Sequence, residues 1–188
     1  MSMILVIGNE STIVGYSDGR VSATDEIGDH VVLRENQCKI DRLSDDTMIL
    51  FAGELSQCLS LVEYLKTLPV ENKTPALYSH IIMQTKIVTR KDAPNINVKL
   101  IVAGKRADGT REWWSHKISA AGDQCHQTRM TNHMQYLALG DIELDEENYI
   151  QEILNQKSVI DKQSIQACFE EASKRHKSIN TTLFWQSI

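Results

Sequence analysis

The chain has 188 residues, of which 41% are hydrophobic and 24% are charged, and its formal net charge is -5 at pH 7. This length suffices for one domain with a substantial core, and the composition excludes intrinsic disorder and fibrous architectures. The acidic balance offers no basic surface for phosphate backbones, so nucleic acid is not an expected partner.

The first quarter of the chain predicts two pairs of strands. Short turns separate the members of each pair, at Gly8-Asn9-Glu10 and at Ser44-Asp45-Asp46. On either side of these turns, β-branched and aliphatic residues dominate, which favours strands. The predicted strands are Met3 to Ile7, Thr12 to Val14, Cys38 to Leu43 and Thr47 to Ala52.

The pattern changes from strand-like to helical after Gly53. Apolar residues recur at helical spacing from Leu55 to Leu65, and Pro69 cannot continue a helix. Pro75 stands where a second helix can begin. We therefore expect two helices in succession.

The second half of the chain repeats this order. Asp108-Gly109 predicts a hairpin between Asn97 to Ala103 and Glu112 to Ile118, and Tyr136 to Leu139 predicts a further strand. Two helices and a last strand complete the prediction, at Glu146 to Gln156, Lys162 to Lys177 and Thr182 to Ile188. Strands clustered between helix pairs favour a single α+β domain over residues 1–188, with antiparallel sheets covered by helices.

Cellular location and cofactor content are predicted by what the sequence lacks. It has no apolar run of the roughly 18 residues that a membrane span needs, and no secretion signal at its start. The four cysteines contain no C-x-x-C pair, which indicates free thiols in a reducing compartment. Cys125-His126 and His133 match no standard zinc spacing. We therefore expect a cytoplasmic protein without a metal or other cofactor.

Several segments of the first third of the chain together resemble a known family. They are Ile4 to Ile7, Val14 to Ser22, Cys38 to Leu43 and Phe51-Ala52-Gly53. They are similar to the opening strands, the R-K-V-x-x-L strand and the F-A-G junction of the HslV-type bacterial proteasome-like peptidases, and more distantly to proteasome β subunits. The spacing from Ser2 to Asp18 also equals that between the family's N-terminal threonine and its early aspartate.

This resemblance implies a four-layer αββα sandwich of the N-terminal-nucleophile (Ntn) hydrolases and a set of catalytic roles. After removal of Met1, the Ser2 hydroxyl would be the nucleophile and its own α-amino group the base. Lys39 would keep that amine neutral and stabilise the developing alkoxide, and Asp18 would hold Lys39 charged. Gly53 would donate its backbone N–H to the oxyanion.

The resemblance also implies substrates and partners. Ser22 and Thr24 lie on the loop that lines the family's substrate groove, so they are candidate substrate-binding residues. Members of the family form homo-oligomeric rings, hydrolyse peptide bonds and receive unfolded chains from an ATP-dependent unfoldase. The chain is accordingly expected to be a serine-type endopeptidase subunit.

Each matched position also has an ordinary explanation when it is taken alone. Asp18-Gly19 can be a turn, Lys39 a solvent-facing strand residue, and Gly53 a glycine at a strand-helix junction. Ser2 by itself carries no information. The joint spacing of the four positions is what favours the peptidase interpretation.

Two departures from the family pattern leave other functions open. The late D-x-x-S has no matching aspartate near Arg175-His176-Lys177-Ser178, and Gly140-Asp141 stands where the family has G-S-G-G. A chain that keeps Met1, or whose translation begins at Met3, would lack the nucleophile or its base. The same fold could therefore serve as a catalytically inactive scaffold or binding subunit, or as a small-substrate Ntn amidase.

Overall fold

A computed structural model describes residues 2–24, 30–69, 71, 73–89, 96–140, 150, 154 and 161–188. These residues form eleven strands and three helices. The strands are β1 Met3–Gly8, β2 Ile13–Asp18, β3 Val21–Thr24, β4 His30–Arg34, β5 Ile40–Ser44, β6 Thr47–Gly53, β7 Asn97–Lys105, β8 Arg111–Ser119, β9 Gly122–Arg129, β10 Gln135–Gly140 and β11 Leu183–Ser187. The helices are α1 Leu55–Thr67, α2 Pro75–Thr89 and α3 Lys162–Arg175.

The strands form two antiparallel sheets and a separate hairpin. One sheet has four strands in the order β10-β1-β2-β11, and the other has five in the order β5-β6-β7-β8-β9. The hairpin pairs β3 with β4. Neighbouring strands are antiparallel in both sheets, as the short turns predict.

Local turn chemistry explains two of the three predicted strand pairs that short turns join, and all three pairings are confirmed. Between β1 and β2, the Oδ1 atom of Asn9 accepts hydrogen bonds from the N–H groups of Ser11 (2.9 Å) and Thr12 (3.1 Å). Between β7 and β8, Gly109 has a φ of 82°, a conformation that glycine adopts without steric cost. Four other predicted strands also agree with the structure. The two before α1 correspond to β5 and β6, Tyr136 to Leu139 corresponds to β10, and the last predicted strand corresponds to β11.

The sequence analysis missed three strands: β3, β4 and β9. Strand β9 is largely polar, and its side chains alternate between partly buried and exposed. Because its residues carry no apolar alternation, only pairing with β8 reveals it as a strand. Strands β3 and β4 lie between the predicted second and third strands, where no strand was expected.

The helices agree with the predictions where the structure describes them. The carboxylate of Glu54 accepts a hydrogen bond from the Ser56 N–H and caps α1, and Pro75 is the first residue of α2. The predicted helix Glu146 to Gln156 lies outside the described residues, except for Ile150 and Leu154, which are helical. Among the described helices, none combines the length and the apolar character that a membrane span requires.

Three apolar clusters hold the elements together. The first packs the five-stranded sheet against α1 and α2 and includes Phe51 and Val62. The second joins both sheets and includes Val6 from β1. The third packs the four-stranded sheet against α3 and includes Leu5 and Phe169. Since successive residues of β1 enter different clusters, this strand is buried on both faces, and the α+β prediction is confirmed.

Candidate active site

The predicted catalytic residues lie at the ends of strands or next to them. Ser2 precedes β1, and Asp18 is the last residue of β2. Because β1 and β2 are antiparallel, with Ile4 opposite Ser17, the start of one strand lies beside the end of the other. Lys39 comes immediately before β5, one residue outside the strand in which the sequence analysis placed it.

Asp18 and Lys39 form a buried ion pair. The Lys39 Nζ atom lies 2.8 Å from Oδ1 of Asp18, and the two side chains are 2% and 0% exposed, respectively. The lysine also donates to the carbonyl oxygen of Arg20 at 2.5 Å. The ordinary explanation of Lys39 as a solvent-facing strand residue therefore does not hold, because the tertiary structure covers its side chain.

The Asp18 carboxylate has further donors from the backbone. The N–H of Met3 donates to Oδ1 at 2.9 Å, and the N–H of Arg20 donates to Oδ2 at 2.9 Å. Burial raises the pKa of the Asp18 carboxyl above its ordinary value, and the Lys39 ammonium and these backbone N–H groups oppose that effect. The carboxylate thereby links the start of β1, the turn after β2 and the Lys39 cation.

A cavity of about 660 Å³ opens beside this ion pair. Its lining includes Ser2, Lys39, Gly53 and Ser22, so the structure brings three of the four predicted catalytic residues to one cavity and attaches the fourth, Asp18, through Lys39. Thr24 is the last residue of β3, and its side chain lies outside the described part of the structure. Apolar side chains form much of the wall: Val21, Ala23, Leu33, Phe51, Leu55 and Leu59.

Gly53 occupies a position that only glycine fits well. Its φ of 106° lies in the region that L side chains rarely adopt, and an added Cβ would lie 2.2 Å from the carbonyl oxygen of Asn97. The same carbonyl accepts a hydrogen bond from the Glu54 N–H at 2.8 Å. The backbone is therefore held in a fixed path between β6 and α1, where it borders the cavity.

Replacement of Gly53 by alanine is expected to destabilise the fold strongly. We expect the substitution to cost at least about 2 kcal/mol more than Gly109→Ala, since backbone strain is common to both sites and the steric clash is not. Gly109 also has a positive φ, of 82°, but nothing lies within 4 Å of the position of its Cβ. Urea unfolding of the two variants measures the difference, and equal losses of stability would contradict the proposed clash.

The sequence analysis missed several residues of the cavity wall. Glu54 lines the cavity and also caps α1, and an N-cap position before an apolar periodic segment was the available signal. Leu33 and Arg34 belong to β4, which was not predicted. Cys58 also belongs to the lining, and burial raises the pKa of its thiol to about 12, so it remains protonated and serves as an apolar residue.

The two late segments that depart from the family pattern lie at the end of β10 and around the end of α3. Gly140 ends β10 opposite Met3 at the start of β1, and Asp141 lies outside the described residues. Ser178 is buried in the loop between α3 and β11, and Arg175 ends α3 and pairs with Glu171. In the described ranges, no cluster of three or more His, Cys, Asp or Glu side chains is suited to a metal ion.

Comparison with known proteins relates this geometry to a fold. The sequence matches no protein-family model and none of the curated proteins to which it was compared. The structure is similar to the crystal structure of eukaryotic HslV from Trypanosoma brucei, with a TM-score of 0.64, 16% sequence identity and coverage of 98% of each chain. Two chains that superpose over nearly their whole lengths share a fold even at this identity. The chain therefore has the same fold as this HslV structure.

Proposed function

We propose that the chain is a proteasome-like peptidase subunit that hydrolyses peptide bonds with the Ser2 hydroxyl as nucleophile. The observation that carries this proposal is the buried Lys39 cation, which is held by Asp18 and borders the same cavity as Ser2 and Gly53. A buried charge that borders a cavity is costly to the fold, and such groups are typical of functional sites.

The proposed reaction begins with the free amino terminus of Ser2. Its neutral α-amine accepts the proton of the hydroxyl as the oxygen attacks the substrate carbonyl, and the Gly53 N–H stabilises the resulting oxyanion. The α-ammonium then protonates the leaving amine, and the acyl group remains on Ser2 as an ester. Water hydrolyses this ester in the second half of the reaction, with the α-amine again as base. The Lys39 cation disfavours protonation of the amine before attack.

The cavity wall suggests what the enzyme selects. Because apolar side chains such as Val21, Leu33 and Leu59 dominate the lining, we infer that the cavity accepts an apolar substrate side chain. Ser22, on β3, and Thr24, at the end of the same strand, would bind the backbone of the extended substrate. Strand β3 has only β4 as a described partner, in a separate two-stranded hairpin.

The assembly follows from the same proposal. We infer that residues 1–188 are one domain with the layer order helix, sheet, sheet, helix. The three apolar clusters support this order, because each of them packs one layer against the next. As in the family that it resembles, the subunit would form a homo-oligomeric ring in the cytoplasm and receive unfolded chains from an ATP-dependent unfoldase. Size-exclusion chromatography with light scattering measures the ring.

A free Ser2 amine is the condition that tests the function. We expect a chain with a cleavable leader ending immediately before Ser2 to be inactive, and to cleave fluorogenic peptides once the leader is removed. The rate should then increase with pH as the α-amine loses its proton, because only the neutral amine accepts the hydroxyl proton. Intact mass spectrometry verifies the new amino terminus at each step.

Other results of this experiment would favour the alternative functions. Ring assembly without cleavage after leader removal would contradict the peptidase proposal and favour an inactive scaffold. A monomer or dimer that hydrolyses small amides but no peptides would favour the Ntn amidase instead.

A further inference from the structure

The side chain of Asn180, in the loop between α3 and β11, forms a hydrogen bond to the turn that follows β2. The Oδ1 atom of Asn180 accepts a hydrogen bond from the N–H of Gly19 at 2.9 Å. Its Nδ2 atom donates to the backbone carbonyl oxygen of Glu35 at 2.8 Å and to the carboxylate of the same residue at 2.6 Å. Asn180 is 7% exposed and its bond to Gly19 is buried, whereas the Glu35 side chain is 52% exposed. One side chain thereby joins three distant segments.

A charged pair reinforces the same junction. The Arg20 guanidinium lies 3.0 Å from the Glu35 carboxylate and donates to the carbonyl oxygen of Lys177 at 2.6 Å. Hydrogen bonds from Arg20 and Asn180 hold the pKa of Glu35 below its ordinary value, which favours the charged carboxylate that both donors need. Arg20 and Asn180 therefore share Glu35 as an acceptor.

The turn that Asn180 contacts also provides backbone groups that bind the candidate catalytic ion pair. Asp18 directly precedes Gly19, and the Arg20 N–H donates to Oδ2 of Asp18 at 2.9 Å. The Arg20 carbonyl oxygen accepts from the Lys39 ammonium at 2.5 Å, and Oδ1 of Asp18 accepts from the Met3 N–H at 2.9 Å. A shift of this turn would move Lys39 and the start of β1 together.

We propose that Asn180 is a positioning residue that fixes the turn after β2 and, through Asp18, sets the location of Lys39 and of the amino end of β1. Its effect on rate rests on the proposed function, whereas its effect on the turn does not. The late segment is where the family motif lacks its aspartate, and Asn180 gives that segment a direct link to the site.

Amide hydrogen exchange tests the positioning without any assay of activity. In Asn180→Ala we expect the Met3 and Arg20 amides, which bond to Asp18 and not to Asn180, to exchange about ten times faster or more. The Ser164 amide, which donates to Oδ1 of Asp161 at 2.8 Å in the cap of α3, should keep its rate. Acceleration confined to Gly19, or acceleration of Ser164 by the same factor, would overturn the proposal.

A conservative variant covers the case in which Asn180→Ala does not fold. Asn180→Asp keeps the acceptor for Gly19 and the size of the side chain, but it places a carboxylate where the amide donates to Glu35. We expect intermediate exchange at Met3 and Arg20, and recovery toward the original rates in Asn180→Asp/Glu35→Gln, where an amide again faces a carboxylate. Exchange in the single Asp variant equal to that of the unsubstituted chain would also overturn the proposal.

Kinetics then connect the positioning to catalysis. With Ser2 free, Asn180→Ala should lower kcat about tenfold to hundredfold while KM changes less than about twofold, since misplacement of the ion pair affects the chemical step. Asn9→Ala is the matched control, because it removes an amide that caps an exposed turn at the opposite end of β1. An unchanged kcat in Asn180→Ala would overturn the catalytic part of the proposal.

Absence of cleavage by the unsubstituted chain would contradict the proposed function, and hydrogen exchange would still decide the role of Asn180.

Discussion

Replacing Ser2 by alanine is expected to abolish peptide cleavage while leaving the fold intact. The substitution removes the Ser2 hydroxyl, which is the proposed nucleophile. Loss of a nucleophile typically lowers kcat by about 10⁴-fold or more. Alanine is smaller than serine, so it fits the 4% exposed site without a clash. The measurement is cleavage of fluorogenic peptides by protein whose amino terminus has been verified by mass spectrometry.

A second serine near the amino end provides the matched control. Ser11 is an exposed residue of the turn between β1 and β2, and Ser11→Ala should cleave peptides at the original rate. If Ser2→Ala cleaved as fast as Ser11→Ala, the nucleophile assignment would be wrong. Circular dichroism of both variants establishes that any loss of activity is not a loss of folding.

Replacing Lys39 by methionine is expected to cause the largest loss of stability. Methionine fills a similar volume but leaves the Asp18 carboxylate buried without its cation. Breaking a buried ion pair on one side typically costs about 3–5 kcal/mol, because the remaining charge is uncompensated. Urea unfolding measures the free energy of unfolding, and peptide cleavage should be lost as well, since the cation that we propose keeps the α-amine neutral is absent.

Two further variants separate burial from charge. Lys105 pairs with Asp46 at the surface, at 2.5 Å with side chains 39% and 55% exposed, so Lys105→Met should cost at most about 1 kcal/mol. The double variant Asp18→Asn/Lys39→Met removes both buried charges and should recover most of the lost stability but no activity. A Lys39→Met loss as small as that of Lys105→Met would contradict the buried ion pair.

Much of the fold follows from short-range chemistry that is visible in the sequence. The turn formers at Asn9 and Asp108-Gly109 predicted two hairpins, and Pro69 and Pro75 predicted the end of one helix and the start of the next. In each case, the determining group acts on backbone within a few residues of itself. Strand β9 was missed for the converse reason, since its polar residues form a strand only because β8 supplies the hydrogen bonds.

The candidate site was predicted in part, and the rest depended on contacts between distant segments. Family spacing identified Ser2, Asp18, Lys39 and Gly53, but nothing in the sequence around Lys39 distinguishes a buried cation from an exposed one. Its burial is decided by the packing of the two sheets and by a carboxylate 21 residues earlier in the chain.

The sequence by itself determined most of the elements and their order, together with the turns, because these depend on local backbone preferences, and it fixed the spacing of the candidate catalytic residues. The tertiary structure alone decided which charges are buried and which residues meet. Asn180 lies 161 residues from Gly19, and no periodicity or motif connects them. Their contact exists because β11 pairs with β2, which brings the last loop of the chain to the turn beside Asp18.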